Sequence, residues 1–146
     1  MKKRPVAIMA LPAIMMLMPS TLFDAIGSTY AQAQPVSTSV VGWIEKIKRQ
    51  DNGELLIIGW GLDIHGNGAP VWVVSIYDGQ VIFAGTTSGA RADITRTYPD
   101  AITDNVVIKG LGIAIDCRAG QKVITLAVSA RHQVAIIGRS DIEGCP

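Results

Sequence analysis

From residue 40 onward, apolar and polar side chains alternate in short runs, and no sustained stripe recurs at helical spacing. In residues 71–77, Trp72, Val74 and Ile76 share one face while Val71, Val73, Ser75 and Tyr77 share the other. In residues 122–130, Ile124, Leu126, Val128 and Ala130 alternate with Val123, Thr125, Ala127 and Ser129. A period of two is the mark of a half-buried strand. Leu111, Ile113 and Ile115, separated by small residues, form another set expected to point inward. Further strands are expected over residues 40–48, 54–62, 80–85 and 133–138.

The turns agree with this reading. Asp78-Gly79 sits between two apolar runs, and a type I′ hairpin turn needs positive φ at both central residues. Asn52-Gly53 plays the same part between the first two strands. Between Thr86 and Asn105 the alternation lapses, with room for one short helical turn at residues 92–98. Seven short strands joined by Gly- and Asp-bearing turns predict an all-β fold, an immunoglobulin-like antiparallel β-sandwich; a small closed barrel is the alternative.

The N-terminus changes the size of that domain. Lys2, Lys3 and Arg4 precede an apolar run at residues 6–18, and Ala31-Gln32-Ala33 follows after a polar stretch. A basic start, an apolar middle and a small-x-small end make a secretory signal peptide. The run is short of the ~20 residues that span a bilayer, so export with cleavage near Ala33 is preferred to an uncleaved anchor. Residues 1–33 are thus a leader, 34–39 a linker and 40–146 the domain, with no membrane span in the mature chain. Taking three basic residues and Asp24 from the 13 basic and 12 acidic ones leaves a formal charge near −1. Such a domain lacks the positive field that phosphate backbones select, which argues against a nucleic-acid partner.

Only two cysteines are present, Cys117 and Cys145. In an exported chain such a pair reads as a disulfide; closing that loop contributes about 3 kcal/mol in the chain-entropy model. Cys-x-x-Cys redox spacing is absent.

Gly59, Trp60 and Asp63 make a Gly-Trp-x-x-Asp motif. Pro70, Val71 and Val73, the Asp78-Gly79 turn, and Arg91, Asp93 and Ile94 (Arg-x-Asp-Val/Ile) follow it in order. Gly120, Ile124 and Leu126 fit a closing strand, while Gly110-Leu111 stands where a Gly-Phe pair would be. In these motifs the chain resembles a small bacterial β-sandwich module of secreted and surface proteins, also appended to cell-envelope enzymes. The resemblance implies the fold and an accessory role, and no particular chemistry.

Candidate chemistry is sparse. Trp60 and Trp72 are expected in the core, and Trp43, near the start of an edge strand, is the aromatic most free to meet a ligand. Arg91 and Asp93, two residues apart, either bind a ligand or fix the long loop through ionic hydrogen bonds. Tyr98 joins Trp43 as a candidate sugar-stacking group. Residues 63–68 have an oxygen-rich look, but the terminal carboxylate of a calcium loop falls on Val74, so a capped turn is the simpler account. His65 and His132 with two disulfide-bonded cysteines do not make a zinc site. Nor do Ser88, Ser140 and Asp141 with His132 make a recognisable nucleophile elbow. No cofactor is implied. The expectation is a non-enzymatic exported module, periplasmic or extracellular, that presents a surface to an envelope or surface protein or to a second copy of itself, with a glycan as the alternative partner. Its apolar outer face is expected at Val71, Val73, Tyr77, Val123 and Ala127.

Overall fold

The structure is a computed structural model that describes residues 38–118 and 120–145. The expected leader and the linker up to residue 37 lie outside the described residues. Seven strands and one short helix follow in order: β1 (Val40–Arg49), β2 (Leu55–Asp63), β3 (Trp72–Tyr77), β4 (Gln80–Thr86), α1 (Ala92–Thr97), β5 (Val107–Gly112), β6 (Val123–Val128) and β7 (Val134–Ser140). They form two sheets, β1-β2-β5 and β4-β3-β6-β7, with antiparallel pairing throughout. The fold is all-β, as the alternation predicts.

The hairpins close where the turn chemistry allows. Asp78 and Gly79 have φ of 51° and 75°, the pair of positive values that a type I′ turn demands. Gly53 takes φ 89° at the β1–β2 turn, and its N–H donates to the Gln50 carbonyl at 2.9 Å.

The core between the sheets is built from Val40, Ile44, Ile47, Leu55, Ile57 and Ile108 on one side and Val71, Val73, Tyr77, Ile82, Val123, Ala127 and Ile137 on the other. This reverses three expectations. Val71, Val73, Tyr77, Val123 and Ala127 are core residues, not an outer face. Trp60 and Trp72 belong to the opposite parity, outside this inter-sheet cluster, and are only partly buried. On β3 and β6 the residues sharing that parity (Val74, Ile76, Leu126 and Val128) are buried as well, so these strands are apolar on both faces and alternation alone could not choose between them. Leu111 and Ile113, expected inward, are 57% and 47% exposed. Their glycine neighbours face inward because the sheets approach too closely there for a side chain: a Cβ on Gly112 would stand 2.6 Å from the Ile82 carbonyl oxygen. Of that set Ile115 alone, half buried, packs on the core.

Unpaired strand edges are templates for association, and here each edge is partly met. The C-terminal tail runs beside β1, with the Arg49 N–H donating to the Glu143 carbonyl at 2.9 Å and the Glu143 N–H to Ile47 at 2.8 Å. The Cys117–Cys145 disulfide ties that tail to the β5–β6 connection. Ile113 donates to the Ile82 carbonyl of β4, Ser88 pairs with Val107 of β5, and β7 packs along β1.

Candidate interaction site

The strand register lays out the outer face of the three-stranded sheet in rows, since residues directly opposite one another across an antiparallel sheet share a face. Lys48, Leu56 and Leu111 form one row, Lys46, Ile58 and Lys109 the next, and Trp43, Trp60 and Val107 the third. Val41 and Leu62 begin a fourth. Trp43 is 62% exposed, Leu111 and the three lysines are exposed, and Leu56, Ile58 and Trp60 are half buried. The result is an apolar column along β2, flanked by ammonium groups on both sides.

α1 covers one end of this face. Ile94 is its buried residue and packs with Leu62 and Val106, while Tyr98, just past the helix, sits on Trp60 with ring centroids 6.0 Å apart and planes tilted 51°. The helix is short because its sequence offers little more than one turn. The Thr95 and Thr97 hydroxyls donate back to the Arg91 and Asp93 carbonyls, and Pro99 disfavours helical geometry at the residue before it.

A bulge in β1 fastens the helix to the sheet. Pairing with β2 shifts between Ile44 and Lys46, leaving Glu45 as the extra residue, and a bulge re-aims its side chain. Glu45 receives both forks of the Arg91 guanidinium at 2.9 Å, and Asp93 accepts from Arg91 Nε and Nη2 at 3.0 and 2.6 Å. Hydrogen bonds donated to Asp93 and then to Glu45 push the Arg91 pKa upward, and Arg91 in turn holds the Asp93 carboxyl below its usual value. The guanidinium is thus engaged by two carboxylates. Trp43 and Tyr98 each neighbour Trp60 on this face, one by strand register and one by ring packing, while Arg91 and Asp93 are joined to β1 through Glu45. Glu45, which joins Arg91 to the strand carrying Trp43, is the member that sequence reasoning missed, together with the three lysines.

Asp63, the end of the Gly-Trp-x-x-Asp motif, lies elsewhere and is 3% exposed. It accepts from the Ser39 hydroxyl, the His65 N–H at 3.1 Å and Arg131 Nε at 3.0 Å. Burial raises its pKa, but these donors outweigh that and leave it lowered. Committed to these partners, the carboxylate makes residues 63–68 a capped turn. His65 and His132 are both exposed, and no hydrogen bond to either imidazole occurs among the described residues. His132 and Ser140 stand at opposite ends of β7. Among the described residues no three His, Cys, Asp or Glu side chains are grouped to hold a metal, and no helix is long and apolar enough to cross a membrane. Two open hollows of about 350 and 320 Å³ flank the β5–β6 connection, one beside Cys145 and Arg118, the other beside Tyr77 and Asp116. Neither holds a histidine or an activated nucleophile.

Compared with protein-family models, curated proteins and solved structures, the chain matches none of them.

Proposed function

We propose that the chain is an exported, non-enzymatic module of immunoglobulin-like character, akin to the small bacterial β-sandwich modules its motifs resemble, and that it binds a protein partner. The outer face of the β1-β2-β5 sheet does the binding. One observation carries this reading: Trp43 and Leu111, 62% and 57% exposed, bracket a half-buried aliphatic column on that face. Exposed apolar groups gathered on one face mark interaction surfaces, whereas single ones are ordinary. Aliphatic Leu56, Ile58 and Leu111 suit a protein side-chain surface better than a sugar, which stacks on exposed coplanar aromatic rings; of the candidate pair, Tyr98 is half buried against the Trp60 ring, and only Trp43 is exposed. Export is supported by the leader pattern and by the disulfide, which persists in oxidising compartments.

The test is site-specific photo-crosslinking in the native cell. A photoreactive residue in place of Trp43 or Leu111 should yield discrete protein adducts, and the same residue in place of Lys122, beside β6 in the other sheet, should not. Equal labelling from all three positions, or turnover of a generic ester or peptide substrate by the purified chain, would refute the proposal.

A further inference from the structure

The mature chain is close to neutral, yet its three-stranded face concentrates positive charge. Lys46, Lys48 and Lys109 all project from it, and none forms an ion pair with a described residue. The nearest carboxylate on β1, that of Glu45, is committed to Arg91. Glu143 runs beside Lys48 through backbone pairing without an ionic contact between their side chains. Lys46 and Lys109 stand on either side of Ile58, separated by two strand spacings, about 10 Å. That is the width of an α-helix, whose diameter with side chains is about 10–12 Å. The end of the column at Trp60 is closed by Tyr98, while the end at Leu56 and Leu111 is open.

Resting on the protein-binding reading above, we infer that the partner segment is an amphipathic helix whose apolar stripe is flanked by Asp and Glu. Its apolar side chains lie along Leu56 and Ile58, with Trp43 and Leu111 closing diagonally opposite corners, and its carboxylates reach Lys46 on one side and Lys109 on the other. The lysines on either flank make the face selective for charge as well as for apolar area, because a helix flanked by basic groups would bring like charges together. Exposed ion pairs are individually weak, so two or three of them amount to about a tenfold preference over a neutral helix, falling as salt screens them.

The experiment uses the mature chain and three synthetic 18-residue peptides with one leucine stripe, flanked by Glu, Gln or Lys. Binding is followed by titration and by amide chemical shifts. The expected result is that the Glu peptide binds about tenfold tighter than the Gln peptide, shifts amides of β1, β2 and β5, and loses that advantage in high salt. The exposed pair Lys46→Glu and Lys109→Glu should fold normally and prefer the Lys peptide. Equal affinity for Glu and Gln peptides, with shifts on the same face, overturns the charge inference while leaving a protein-binding face. Binding of polygalacturonate on that face with no binding of any peptide overturns both. A Glu preference that survives the charge reversal places the site elsewhere and also overturns the inference.

Discussion

Replacing Asp63 with Asn keeps the shape of the side chain and removes its charge, which isolates what the buried carboxylate contributes. Asp63 joins three segments: Ser39 at the entry to β1, His65 in the loop after β2, and Arg131 in the β6–β7 hairpin. Hydrogen bonds to a charged group contribute about 1.5–3 kcal/mol each, but Arg131 is 47% exposed, so its share approaches that of a surface pair, roughly 0.2–1 kcal/mol. The amide oxygen still accepts from Ser39 and His65. The expected net loss near neutral pH is therefore about 1–2 kcal/mol, or about 4–8 °C in Tm for a domain of this size. Because the folded pKa is lowered, this stabilisation is present above the unfolded value of about 3.9 and is lost as pH falls through the folded one. Thermal melts by circular dichroism should therefore show wild type and Asp63→Asn differing most near neutrality and converging in acid. A gap that stays constant into acid would mean that the amide perturbs packing and not charge. A Tm unchanged at neutral pH would show that Asp63 is no clamp at all.

Two further outcomes follow from the packing. Gly112→Ala places a methyl carbon 2.6 Å from a backbone oxygen that cannot easily move, so it should cost about 1–3 kcal/mol in chemical denaturation; Gly120→Ala, with positive φ but open space, should cost about 1 kcal/mol or less. Replacing Cys117 and Cys145 together with Ala should lower stability by about 3 kcal/mol and speed hydrogen exchange at the Arg49 amide, which donates to the tail; unchanged exchange there would show that the tail holds to β1 without the disulfide.

The strands and turns were legible because they depend on local chemistry. Alternation at Val123 to Val128, the Asp78-Gly79 turn and the short helical stretch after Arg91 all appear where the sequence predicts them. What was not legible is which face of a strand is inward. Leu55, Leu56, Ile57 and Ile58 are apolar on both faces, so the period of two has no phase, and Trp60 is misassigned with it. A clue lay in Gly59 and Gly61: residues without side chains flanking a tryptophan suit the side where the backbone is closely approached, which leaves the indole on the other side. The β1 bulge also left a trace, a spacing of three between buried Ile44 and Ile47, with two residues between them, where a regular strand would space them by two or four. The Glu45–Arg91 contact left none. It joins residues 46 apart in sequence, and the local sequence around either gives no indication of its partner.

Contacts made at the sheet edges favour the proposed face-on mode of binding over strand addition. The tail occupies part of the outer edge of β1, Ile113 and Ser88 engage β4 and β5, and β7 packs against β1, so an incoming strand would have to displace contacts already made along part of each edge. Displacing the tail would also work against the disulfide that anchors it. On the three-stranded face nothing needs to be displaced. α1 and its Arg91 clamp fix one boundary of the apolar column, lysines on β1 and β5 fix its sides, and under the proposed reading a partner would enter from the end at the exposed Leu111. A surface bounded in this way by ionic and aromatic contacts already made within the domain is preorganised, so in the proposed complex less ordering entropy would oppose binding.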